Sequence, residues 1–174
     1  MAARMTTYAT ITLMALLDAP EDCFVCRKHW EQGPLLPGGP VAEDDLVVVS
    51  HLSPEAPDGD GGPVYLGHLL VEPKRHAPGL EDLTDPEARA VGLWSSRSSR
   101  ALREVARAEH VYAAVIGDGT PHLHVHLVPR YPGTPREYWW DGLDEWPDAR
   151  RGMEPEISML VANLRAYLNS AELG

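Results

Sequence analysis

Apolar positions recur along this chain with two different periods. From Asp85 to about Glu109 they return every three or four residues, and Val91, Trp94, Ser98, Leu102 and Val105 share one face of a predicted helix. Asp85 reads as its N-cap, with Pro86 at the first helical position. Arg97, Arg100, Arg103 and Arg107 fall mostly off that face and read as solvated. A second helix is predicted from Pro155 to Ser170, with Ile157, Leu160, Val161, Leu164 and Leu168 along one side. Shorter apolar stretches, rich in β-branched and aromatic residues, read as strands: DLVVVSH (45–51), VYLGHLLVEP (64–73, one strand with a glycine in it), VYAAVIG (111–117) and HLHVHLVP (122–129). DGTP turns the third into the fourth. The order strands, helix, strands, helix predicts an α+β fold with a mainly antiparallel sheet.

Composition narrows the possible partners. The 174 residues fit one domain, 44% hydrophobic and 24% charged. A net charge of −11 argues against a basic nucleic-acid-binding surface, but leaves room for a phosphate-bearing small molecule held by local donors. No apolar run approaches the ~18 residues of a membrane helix. YATITLMALL after Arg4 resembles the apolar region of a signal peptide, yet acidic DAPED follows with no small-residue cleavage pattern. Residues 1–20 therefore read as an N-terminal arm, with Met14 as an alternative start, and the expected setting is the cytoplasm. The loops EQGPLLPGGP and SPEAPDGDGGP are marked by Gly and Pro. In the segment from Arg130 to Asp148, Trp139, Trp140 and Trp146 are expected to cover the core or a dimer contact rather than stack on a substrate.

Three histidines stand two apart in PHLHVHLVPRY, in a chain with eight in all. Strand alternation sends His122, His124 and His126 to one face and Leu123, Val125 and Leu127 to the other. Successive imidazoles are then ~6.6 Å apart at Cα. Surface histidines in register are the bland alternative. A three-histidine metal site is a second reading, but the outer pair is ~13 Å apart. Nucleophilic catalysis is the third: an imidazole is largely neutral near pH 7 and needs no strong base to attack. Cys23 and Cys26, in CFVC, have no other cysteine to pair with and read as a metal half-site or a redox pair, with two buried free thiols as the bland alternative. His29, His51, His68, His76, His110 and the three clustered histidines are the candidates to complete such a site.

HLHVHLV matches the His-φ-His-φ-His-φ-φ pattern of the histidine-triad (HIT) family of nucleotide hydrolases and transferases. GHLLVEPKRH resembles that family's Gly-His-φ-φ-φ-φ-Pro-Lys-x-His segment, and LVPRY resembles the sequence that follows many bacterial triads. The similarity runs from Cys23 to Tyr131, and the chain divides into the arm (1–20), a HIT domain (21–132) and a C-terminal aromatic tail and helix (133–174). The resemblance implies a five-stranded, mainly antiparallel sheet with one long helix and a C-terminal helix, paired into a homodimer. It implies nucleotidyl transfer from a nucleoside phosphate ester, anhydride or amide through a covalent nucleotidyl-histidine. His124 would be the nucleophile, and His126 would hydrogen-bond a phosphoryl oxygen or the leaving group. Bacterial members with an N-terminal CxxC further imply a structural zinc on Cys23, Cys26, His76 and His122, and no organic cofactor.

Two departures bear on nucleotide recognition. The family's Asn-x-Gly and Gly-Gln-Ser phosphate elements are replaced here by VIGDGTP, so Gly117, Asp118, Gly119 and Thr120 are the candidate phosphate-binding residues. The family's Asp-φ-Ser-Pro reads SHLSP, placing His51 where an aspartate faces the ribose hydroxyls. A non-catalytic, zinc-stabilised nucleotide-binding module is the rival from another class. A metal-dependent hydrolase using His122 and His124 as ligands is the third.

Overall fold

The computed structural model describes residues 23–171 apart from 58, 118 and 144. The arm expected at 1–20 and the candidate Asp118 lie outside the described residues. In chain order the elements are α1 (Phe24–Glu31), β1 (Ala42–Glu43), β2 (Val47–His51), β3 (Val64–Tyr65), β4 (Leu69–Pro73), α2 (Asp85–Val105), β5 (His110–Ala114), β6 (Val125–Arg130), β7 (Arg151–Gly152) and α3 (Glu154–Ala171). Five strands form one antiparallel sheet in the order β1-β2-β4-β6-β5, and β3 pairs with β7 in a small second sheet. The expected α+β architecture and five-stranded sheet are both present.

Alternation divides the large sheet into two faces. Val47, Val49, Leu69, Val71, Val125 and Leu127 join Val91, Trp94 and Leu102 of α2 and Ile157, Val161 and Leu164 of α3 in one buried cluster. Every residue of β2 and β4 is buried, because α1 packs on the opposite face: its Lys28 hydrogen-bonds Ser50 of β2 and Glu72 of β4. The residues between the core positions, Ser50, His68, Leu70, Glu72 and His126, belong to that second face.

The long helix is capped by Thr84 rather than Asp85. The Thr84 side chain accepts from the Glu87 amide while the Glu87 carboxylate accepts from the Thr84 amide, a capping box. The helix stops at Val105, short of Glu109, and Arg107 follows with a positive φ of 62°. VYLGHLLVEP is broken into two strands by Gly67, at φ 85°. A Cβ there would lie 2.7 Å from the Tyr131 hydroxyl and 2.9 Å from Pro129 Cγ, so only glycine fits. Trp139, Trp140 and Trp146 do not cover the core. The first two are exposed, and Trp139 lies with its ring 3.9 Å from the Arg130 guanidinium.

Candidate active site and metal cluster

The sequence stretches that carry chemistry converge at the β6 end of the second face. Cys23 occupies the N-cap position of α1 and Cys26 its first turn, His76 lies in the turn after β4, and His122 lies three residues before β6. One ligand atom from each of these four residues lies within 4.8 Å of all the others. Cys23 Sγ is 3.5 Å and Cys26 Sγ 3.4 Å from His122 Nδ1, and Cys26 Sγ is 3.6 Å from His76 Nδ1. Donors on zinc bonds of ~2.0–2.3 Å stand roughly 3.5 Å apart at tetrahedral corners, so the four fit one tetrahedral ion. Burial, with the Cys23 thiol beside it, pushes the Cys26 thiol up to about 12.

The frame around the cluster is tight. His122 Nε2 donates to the Pro73 carbonyl (2.9 Å), which turns Nδ1 toward the thiols, and the Leu123 amide donates to Ala77 O (2.6 Å). Arg75 grips Glu87 at the start of α2 through two bonds of 2.9 and 2.8 Å, fixing the turn that presents His76.

The triad is not a single row. β6 begins at Val125, so only His126 is on the assigned strand, while His122 and His124 lie in the segment leading into it. His122 is fully buried in the metal cluster. His124 and His126 instead line a cavity of about 500 Å³. The His124 Nδ1 bonds the His122 carbonyl at 2.7 Å. A carbonyl only accepts, so Nδ1 carries a proton, and in the neutral ring Nε2 holds the lone pair. His126 lies 4.8 Å from His124 between ring centroids, and its Nδ1 is 2.9 Å from His68 Nε2. Burial, reinforced by the neighbouring His124, lowers His126 to about 4; burial, with His126 close by, lowers His68 to about 3. Both rings are therefore neutral at pH 7.

The sequence offers His68 only as a candidate metal ligand, whereas the structure places it against His126, just before β4. Lys28 and Glu72 also line the cavity, as does Arg151, which the β3–β7 pairing of Tyr65 with Arg151 carries across the tail. Of the described C-terminal residues, Arg151 thus reaches the cavity wall.

Two other expectations meet a different geometry. His51 lies opposite Leu69 in the register, is fully buried and is absent from the cavity wall. Its Nδ1 donates to Leu52 O (2.7 Å) and its Nε2 accepts from the Gly67 amide (2.8 Å). Both nitrogens are spent on the turn that Gly67 makes, and burial lowers this imidazole to about 4. Of the phosphate-loop candidates, Thr120 lines the cavity, whereas Gly117 and Gly119 are exposed and outside its wall.

A paired-thiol and paired-histidine cluster beside a histidine-lined cavity on an antiparallel sheet defines a metal-braced imidazole site. The profile of the HIT domain family matches residues 41–133, more than half of the chain, and the chain belongs to the HIT family. It is similar to the AP-4-A phosphorylase of Mycobacterium tuberculosis, 37% identical over 78 residues that cover 41% of this chain and 40% of that protein. It is also similar to a bis(5′-adenosyl)-triphosphatase of Dictyostelium discoideum, 34% identical over 73 residues, covering 39% and 49%. The chain thus spans about half or less of the length of these curated relatives. The solved structure of a Zn-bound histidine triad family protein from Mycobacterium smegmatis shares the fold, with TM-score 0.62 and 24% identity over 86% of this chain and 97% of that one.

Proposed function

We propose that this chain is a nucleotide hydrolase or nucleotidyl transferase that acts on a nucleoside phosphate ester, anhydride or amide through His124. The carrying observation is the hydrogen bond of His124 Nδ1–H to His122 O, which leaves Nε2 as the uncommitted ring nitrogen of a residue that lines the cavity. In the first step the Nε2–P bond forms as the bond from phosphorus to the leaving oxygen or nitrogen breaks. With His68 donating from Nε2 to His126 Nδ1, the His126 proton resides on Nε2, where it can hydrogen-bond a phosphoryl oxygen or the departing group. In the second step water or another acceptor attacks phosphorus, the Nε2–P bond breaks, and the acceptor's proton is released. Thr120 and Arg151 are the donors on the cavity wall suited to the phosphoryl oxygens.

The cluster of Cys23, Cys26, His76 and His122 suits zinc, the closed set of two thiolates and two imidazoles being that of a structural site. Such an ion braces His122, and through its carbonyl the orientation of His124 two residues on. In this reading the protein works in the cytoplasm on a small nucleotide-like substrate, as a homodimer, and without nucleic acid or membrane. No described helix is long and apolar enough to cross a membrane.

The exposure of Gly117 and Gly119 favours one rival, a nucleotide-binding module that performs no chemistry. Intact-mass measurement after rapid mixing with nucleoside phosphoramidates separates the two. A protein mass increased by one nucleotidyl group, lost in His124→Ala, is the expected result. Binding without any covalent adduct or turnover across the panel would leave the module reading.

A further inference from the structure

β4 carries a carboxylate that the proposed chemistry does not use. Glu72 is fully buried and Lys28 is 1% exposed, and the two meet at 2.5 Å. Removing both charges from water is costly, and two apolar residues would fill the same space without that cost. Burial alone would raise the Glu72 carboxyl, but Lys28 and then His29 hold it well below the usual carboxylate range. The hydrogen bonds are unevenly used. Glu72 Oε1 accepts from Lys28, and Oε2 accepts from His29 Nε2 (3.1 Å) and Ser50 Oγ (3.3 Å). Lys28 spends one N–H on Glu72 and one on Ser50 Oγ (3.1 Å), and an ammonium has three. One donor remains, on a side chain that lines the cavity.

The position of this donor relative to His124 matters. Ser50 pairs with Leu70 and Leu70 with His126, so the network lies one to two strands from His126, ~5–10 Å across the sheet. A ribose spans that gap between a phosphorus held at His124 and a base. Phe24 and Val25 of α1, with Leu52 and Leu70 of the sheet, supply apolar walls suited to the faces of a flat ring.

We infer that Lys28, anchored by Glu72 and Ser50, reads the base edge and selects a 6-oxopurine nucleotide, guanine or hypoxanthine, over adenine. This rests on the nucleotidyl-transfer reading for the orientation of the ligand. The exocyclic oxygen and N7 of a 6-oxopurine are adjacent acceptors that an ammonium can bridge. Adenine keeps N7 but carries an amino group in place of that oxygen, so the free N–H loses one of its two acceptors and meets a donor beside the other.

The test measures binding of GMP, IMP and AMP to the purified full-length protein by calorimetry, alongside kcat/KM for guanosine and adenosine phosphoramidates. GMP and IMP are expected to bind about tenfold more tightly than AMP, with a similar ratio in kcat/KM. The double variant Lys28→Met with Glu72→Leu removes the donor without stranding a buried charge, and its purine ratio is expected to fall to about one. AMP binding as tightly as GMP, or a folded double variant that keeps the preference, would overturn the inference, as would failure of all three nucleotides to bind. Should the double variant not unfold cooperatively, the IMP against AMP comparison on the wild type decides, because those two differ in the groups at and beside the read carbon. Tighter GMP and IMP binding without turnover of either phosphoramidate would sink the covalent reading and leave this one standing.

Discussion

His122 and His124 are two residues apart and do opposite work. The imidazole of His122 is fully buried, with Nδ1 toward two thiols and Nε2 on the Pro73 carbonyl. The imidazole of His124 is half-buried, with Nδ1 on the His122 carbonyl and Nε2 left for the cavity. In both, one nitrogen is committed to a backbone carbonyl, which fixes the tautomer and aims the other. What the second nitrogen meets, a metal cluster or an open cavity, separates a brace from a nucleophile. Repeated residue type does not mean repeated role.

The sharpest way to break it is at the nucleophile. His124→Ala should lower kcat by more than about a hundredfold, because the attacking lone pair is lost. The melting temperature should stay within a few degrees, since His124 is half-buried and packs no core face. If turnover on the best substrate stayed above a few per cent of wild type, His124 would not be the nucleophile. His126→Ala should slow turnover less.

At the brace, the expected effect is on folding first. Purified protein should carry about one zinc per chain, and Cys26→Ser or prolonged chelation should remove it. The loss should cost on the order of 3–5 kcal/mol of stability, or roughly 10 °C in Tm for a chain of this size, with activity falling as a consequence. Elemental analysis showing no zinc in protein prepared without chelator would end this prediction. A chelated protein that melts at the wild-type temperature would show that the ion carries no structure.

Acid should separate the neutral buried histidines from the rest. His51 has a folded-state pKa of about 4 against an ordinary 6.5, lowered by burial. A depressed imidazole binds its proton more weakly when folded, so its contribution is whole above about pH 6.5 and is lost as pH falls toward 4. From His51 alone this amounts to about 3 kcal/mol, and His68 and His126 shift in the same direction. Urea unfolding between pH 7 and pH 4 should show stability falling through that window, with a shallower fall in His51→Gln. A flat profile would mean that these rings are not held neutral.

Much of this was legible in the sequence, and the limits have physical causes. α2 and α3 declared themselves by long apolar stripes, and the triad with CFVC and PKRH located all four cluster residues. α1 was missed because its inward side consists of Val25, Cys26 and Lys28, so one of the three positions that would mark an apolar face is a lysine. The break at Gly67 was missed because it depends on how closely Tyr131 and Pro129, more than sixty residues on, approach it. Arg151 reaches the cavity through a two-residue strand, too short to show any period. His68 stands just before β4, next to the apolar Leu69, Leu70 and Val71, and only alternation carried back from Leu70 puts it on the face of His126.

The smallest expected effect concerns the sugar. Where the HIT pattern places an aspartate against the ribose, this chain has His51, whose two nitrogens are both bound to backbone in a fully buried turn. It has nothing to offer a hydroxyl. A neutral hydrogen bond contributes ~0.5–1.5 kcal/mol and one to a charged group ~1.5–3 kcal/mol, so losing the carboxylate contact removes most of the discrimination a 2′-hydroxyl can give. Matched ribo- and 2′-deoxyribonucleoside phosphoramidates should differ by less than about tenfold in kcat/KM. Among the described residues of the loop before β3, Asp60 is placed to restore the contact: it lines the cavity and spends Oδ1 on the Gly62 amide (2.8 Å). Asp60→Asn, which keeps that bond and removes the charge, therefore belongs in the same assay. A ribose preference above about a hundredfold in the wild type would defeat the prediction, and its disappearance in Asp60→Asn would show that the loop had taken over the part His51 cannot play.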